Sequence, residues 1–164
     1  MSDSGSEEVG AAAGRVLAIA PDRGVSALPI RPLAFANGMA LASDGTLFVA
    51  ESYEPRVVAV RDGSVETVAE LPGIVPDGLT LDDEGGLIVT SYQPNRVLRL
   101  PPGGGEPELV AEDLTGQTLM TPTNACFYGP DRSALAIAQL CAWSIVTIDT
   151  PWRGQPLFYP RLAH

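Results

Sequence analysis

The chain has 164 residues, 45% hydrophobic and 18% charged, which suits a folded domain with a sizeable core rather than a disordered segment. Twenty acidic residues against ten basic ones leave a net charge of −10, the wrong sign for a nucleic-acid or anionic-membrane surface. Every basic residue is arginine and the one histidine is His164, the last residue, so the composition argues against lysine Schiff bases, phosphate-loop lysines, Ser-His-Asp triads and His-rich zinc sites. Hydrolytic chemistry here rests on carboxylates, amides, hydroxyls or a metal held by oxygen.

No apolar run approaches the ~18 residues of a membrane span. The opening MSDSGSEEVG lacks the basic and apolar regions of a secretory signal, and Met1 reads as an internal start within a longer protein. The expected location is the cytoplasm. Cys126 and Cys141 are expected as buried thiols in that reducing compartment, with a disulfide as the lesser alternative.

In chain order, Arg15-Val16-Leu17 returns as Arg56-Val57-Val58 and as Arg96-Val97-Leu98, at spacings of 41 and 40. Ser52-Tyr53-Glu54-Pro55 is echoed by Ser91-Tyr92-Gln93-Pro94, and Gly45 by Gly85. A weaker copy runs from Asn124 through ALAIAQL to Ser144-Ile145-Val146-Thr147-Ile148. Within each copy, short alternating runs of Val, Ile and Leu are broken by Ser43-Asp44-Gly45, Asp62-Gly63, Glu84-Gly85-Gly86 and Pro101-Pro102-Gly103. That pattern predicts strands joined by tight turns, and no helical periodicity is sustained. Four strands per 40–45 residues is the mark of a β-propeller blade. The predicted fold is all-β, a partial propeller of about three to three and a half blades in one domain, residues 1–164. Its blades are expected at about 35–72, 75–112 and 121–160, with only outer strands at 15–30. Open blade edges of this kind invite self-association.

The inner strand of each blade lines the central channel, so residues at its start converge on the axis. Asn37 in FANGMAL, Asp77 in VPDGLTL and Asn124 in TPTNACF occupy that slot. A ring of such oxygens favours a hard divalent cation: Ca²⁺ first, with Mg²⁺, Mn²⁺ or Zn²⁺ as alternatives. Asn-Gly and Asp-Gly are also strong hairpin-turn signals. Two at equivalent repeat positions, each ahead of a strand that has its own glycine turn, tilt Asn37 and Asp77 towards the ligand reading. Asn124, followed by alanine, stays closer to a structural one. Asp44, Asp62, Asp83 and Glu84 read as solvated turn residues. Arg56 and Arg96 read as strand-bridging, and Tyr53, Tyr92, Trp143 and Trp152 as packing or interface residues.

At these residues the sequence resembles the senescence-marker-protein-30/gluconolactonase family of six-bladed propellers. FANGMALASDGTLFVAES is similar to its Asn-Gly segment and VPDGLTLDDEGGLIVTSYQPNRVLRL to its Pro-Asp-Gly segment. TPTNACFYGPDRSALAIA and PWRGQPLFYPRL are similar to its final blade. The likeness covers the C-terminal half of such a protein and implies a metal-dependent lactonase, a hydrolase acting on a small lactone or sugar-derived substrate. Asn37 and Asp77 would be metal ligands, and Asp77 also the catalytic proton carrier. The family's first-blade glutamate ligand and its substrate-side Asn-Asp segment have no counterpart here. The rival expectations are a non-catalytic propeller segment serving as scaffold or remnant, and a propeller that binds metal for structure only.

Overall fold

The computed structural model describes residues 1–5 and 12–157. Among these are fourteen strands: β1 Ser2–Asp3, β2 Arg15–Ile19, β3 Val25–Ala27, β4 Ala36–Leu41, β5 Leu47–Glu51, β6 Arg56–Arg61 and β7 Ser64–Glu70. They continue as β8 Val75–Leu81, β9 Leu87–Gln93, β10 Arg96–Leu100, β11 Glu108–Glu112, β12 Pro122–Tyr128, β13 Ala134–Gln139 and β14 Ile145–Asp149. They form four antiparallel sheets in strict chain order, β1-β2-β3, β4-β5-β6-β7, β8-β9-β10-β11 and β12-β13-β14.

Local chemistry explains the hairpins. Between β6 and β7, Asp62 and Gly63 both take positive φ, 50° and 80°, the two-residue turn whose twist matches the flanking strands. Arg61 and Ser64 pair directly across it. Alternation explains the layers, since successive side chains point to opposite faces. Leu87 and Val89 of β9 pack with Ala50 and Val57 of the preceding sheet, whereas Ile88 between them packs with Leu135 and Ile137 of the following one. Val49, Val58 and Val60 close the first interval against Val16 and Leu33. Each sheet is thus wetted by neither face until the ends of the series.

The first strands of successive sheets lie side by side, β1 against β4, β4 against β8 and β8 against β12. Sheets fanning from a line of adjacent inner strands make an all-β partial propeller. Two details differ from the sequence expectation. The sheet at residues 15–27 carries more than outer strands, because β1 adds to it through Ser2↔Val16 and Asp3↔Arg15. The last sheet stops at three strands. The chain then turns back beneath the fan, where Asp82 bridges Gly154, Asp83 N donates to Arg153 O, and Gln155 N donates to Leu81 O at 2.9 Å. Residues 158–160 of the expected last blade lie outside the described residues.

The terminal sheets leave apolar faces open: Ile19 and Val25, cross-strand partners, are about as exposed as Ile145. This overturns the expectation of buried thiols. Cys126 and Cys141 are both free and exposed, Cys126 because it points from β12 to the open side of the last sheet. Trp143 stands free in solvent, while Trp152 packs over the Arg99 guanidinium, 4.6 Å from the ring centre.

Candidate metal centre at the mouth of the inner strands

Asn37-Gly38 and Asp77-Gly78 are not turns. They lie inside β4 and β8, and neither glycine takes a positive φ. In β4 the partners step from Ala36↔Glu51 to Met39↔Val49, so two inner residues face the single Ala50. In β8 they step from Pro76↔Ser91 to Leu79↔Val89, with Thr90 opposite. The third inner strand shifts register between Pro122 and Asn124. The same β-bulge therefore recurs at the same height in three neighbouring strands, and a bulge re-aims the side chain it carries.

The glycines are needed for close approach. A Cβ on Gly38 would sit 2.2 Å from Asp77 O, and one on Gly78 would sit 2.6 Å from the Cα of Asn124. Backbones this close leave no room for any side chain, and they set residues 37–38, 77–78 and 123–124 abreast across three strands: Asn124 falls level with Gly78, and Thr123, not Asn124 as expected, takes the place level with Asp77. The bulge at Gly78 is closed from within: its N–H donates to the Thr90 hydroxyl at 2.8 Å. Just upstream, Phe35 holds a left-handed φ of 61° and its ring packs on Tyr53, centroids 4.6 Å apart.

Side-chain contacts order the cluster. Asn37 Nδ2 donates to Ser52 Oγ at 3.2 Å, and Ser52 Oγ donates to the carbonyl of Pro76, the residue before Asp77, at 2.7 Å. Burial pushes the Asp77 carboxyl up to about 6, and a hydrogen bond from the Asn37 amide pulls part of the way back. Asn124 lies on the adjacent strand, exposed, with Oδ1 accepting from its neighbour Ala125 N at 2.9 Å. The structure thus links Asn37 to the strand of Asp77 through Ser52, and sets Asn124 on the next strand with its carbonyl turned to its own chain.

The donor set is one carboxylate and two amides, all oxygen where a cation is concerned, and it suits a hard divalent ion. Asp77 is half-buried with only a neutral amide to steady its charge, the setting in which a cation relieves the cost of burial. Among the described residues no three His, Cys, Asp or Glu side chains gather at one place.

Glu51, one residue before Ser52, was not legible as special. It is fully buried and accepts from Arg31 Nη1 and Nη2 at 3.0 Å, Arg56 Nε at 2.6 Å and Ala34 N at 2.7 Å. These partners bring its carboxyl down to about 2, against burial that pushes it the other way. Arg56 is thereby strand-bridging as expected, pairing with Glu54 too, and Arg96 pairs with Glu112 at 2.8 Å. A second buried ion pair was also missed: Asp82 accepts from Arg99 Nε at 2.7 Å and from Gly86 N at 2.7 Å. Asp44 pairs with Arg61 and Glu84 with Arg99 at the surface, so those turn carboxylates are solvated but engaged. Ser52 carried a sequence signal, the Ser-Tyr recurrence, but the signal misleads. It repeats at 39 while Leu47/Leu87 and Arg56/Arg96 repeat at 40, so Glu51, not Ser52, shares the register position of Ser91.

Comparison with known proteins agrees with this architecture. A family model described as SMP-30/Gluconolactonase/LRE-like region matches residues 1–140. Regucalcin of Xenopus laevis is 35% identical over 67 residues, which are 41% of this chain and 21% of that protein. A gluconolactonase from Xanthomonas campestris superposes with a TM-score of 0.57 at 26% identity, over 77% of this chain and 41% of its own. A calcium-binding protein, regucalcin, from Agrobacterium tumefaciens superposes with a TM-score of 0.69 at 18% identity, over 95% of this chain and 58% of its own. The chain spans well under two thirds of the length of each of these relatives. With a match over most of its length and the fold to go with it, the chain belongs to the SMP-30/gluconolactonase/LRE-like family.

Proposed function

We propose that this chain supplies the Asn37–Asp77 side of a metal site in a lactone hydrolase that depends on a divalent cation. The observation that carries the reading is the recurrence of one bulge in adjacent inner strands, with Gly38 close against the backbone of Asp77 and Ser52 linking the Asn37 amide to the carbonyl just before Asp77. Family membership supports lactone chemistry, and the description of the Agrobacterium relative as calcium-binding supports Ca²⁺ ahead of Mg²⁺, Mn²⁺ or Zn²⁺. Such an ion, when bound, polarises a lactone carbonyl and offsets the charge developing on its oxygen.

In this reading Asn37 Oδ1 and the Asp77 carboxylate hold the ion, with Asn124 recruited from the next strand by rotating its amide away from Ala125 N. Asp77 has a second task. Its carboxylate takes a proton from water as the water adds to the carbonyl, and returns it to the ring oxygen as the ester bond opens. The close-packed Gly38 and Gly78 keep both donors on rigid strands rather than on loops.

The test is calcium titration of the purified chain by calorimetry, alongside pH-stat hydrolysis of a sugar lactone with and without the ion. Binding in the roughly 10⁻⁴–10⁻³ M range of weakly charged sites is expected, abolished by Asn37→Ala and by Asp77→Asn. No binding at millimolar calcium rejects the metal reading. Binding without turnover favours the second reading, a non-catalytic propeller segment. Self-association through the open terminal faces is a separate proposal, and a monomer mass at every concentration rejects it.

A further inference from the structure

Resting on the cation site proposed above, we infer that Ser52 is a positioning residue: its hydroxyl sets which way the Asn37 amide faces and ties that amide to the strand that bears Asp77. The inference follows from hydrogen-bond polarity. A serine hydroxyl has one proton to donate. The Pro76 carbonyl can only accept, so at 2.7 Å that proton lies on the line to Pro76 O. The Ser52 oxygen is then an acceptor towards everything else. Asn37, 3.2 Å away, must present its NH₂ to it rather than its carbonyl.

The amide nitrogen is thereby fixed on Ser52, and Oδ1 is the atom left to meet a cation. With the hydroxyl absent, the amide can rotate by half a turn and offer NH₂ where oxygen is required.

Ser52 is itself held firmly, which is what lets it act as a reference point. It is buried at 4% exposure, and its backbone N–H donates to Phe35 O at 3.1 Å, on the segment leading into β4. One side chain from the turn between β5 and β6 therefore touches both ligand-bearing strands, at residue 37 in β4 and at residue 76 in β8. No other side chain in the described contacts links those two strands beside the cluster in this manner. A positioning group of this kind is typically worth 10–100-fold in metal affinity.

Calcium titration of wild type, Ser52→Ala and Ser52→Thr tests the inference. Thermal unfolding without calcium shows which variants are folded. Ser52→Ala is expected to weaken calcium binding by roughly tenfold or more, and Ser52→Thr to restore most of it. In wild type without metal, the Asn37 side-chain NH₂ is expected to exchange with water more slowly than exposed asparagines, read by NMR. Wild type that binds while a folded Ser52→Ala binds equally tightly overturns this inference alone. So does fast exchange of the Asn37 amide, which needs no variant to fold. Wild type that binds no calcium at millimolar concentration overturns the metal reading, and this inference with it.

Discussion

Removing the charge of Glu51 isolates one buried interaction and reads it against pH. The carboxylate is fully buried, accepts four hydrogen bonds from Arg31, Arg56 and Ala34, and is brought from 4.5 to about 2. A depressed folded-state value means that the folded protein holds its proton less readily than the unfolded chain. The stabilisation is therefore complete above about pH 5, and falls away as pH drops through the carboxylate range towards 2. A gap of about 2.5 units at about 1.4 kcal/mol each corresponds to about 3 kcal/mol at neutral pH. Glu51→Gln keeps the shape and removes the charge, so it should lose about that much at pH 7 and little near pH 2.5. With a urea slope of about 1–3 kcal/mol per molar, the midpoint moves down by about 1–3 M at pH 7. Urea unfolding of both proteins from pH 7 to pH 2.5 measures the gap. A gap that stays constant over that range, or is absent at pH 7, refutes the account of Glu51 as the charge that holds Arg31 and Arg56.

The remaining predictions follow from packing and hydrogen bonding. Gly78→Ala should cost about 1–3 kcal/mol by forcing β8 from β12, and should abolish calcium binding; unchanged unfolding refutes the close approach. Thr90→Val keeps the volume but strands the buried Gly78 N–H, costing about 1–3 kcal/mol, and Thr90→Ser should recover most of it in the same denaturation assay. Asp113 holds its loop by accepting from the backbone N–H groups of Thr115 to Leu119, which keep its carboxyl far below the usual carboxylate range. Asp113→Ala should therefore speed hydrogen exchange at 115–119 while the inner strands keep their protection, and equal exchange in both proteins refutes it.

How much of this was readable beforehand depended on the range of the interactions involved. The hairpin at Asp62-Gly63 was legible because a two-residue turn demands positive φ from those residues, whatever surrounds it. The assignment of Leu87 and Val89 to one layer and Ile88 to another follows from period two alone. The Asn-Gly and Asp-Gly pairs stood between turn and ligand site because both readings use the same letters. A glycine within a strand also signals a bulge or a close neighbouring backbone, and here it marks both. Cysteine burial was misjudged because alternation says which residues share a face, not whether another sheet covers it.

From the order of residues alone came the strands, their turns and the repeat, since each depends on neighbours in the chain. Only the tertiary structure decided that Glu51 and Asp82 are buried with arginine partners, that a bulge recurs in three strands, and that Ser52 stands between Asn37 and Pro76. These outcomes depend on register, where a single inserted residue exchanges Ser52 for Glu51 at an equivalent sheet position. A shift of that size leaves the local pattern of the sequence almost unchanged, yet it decides which side chain meets which across the sheet.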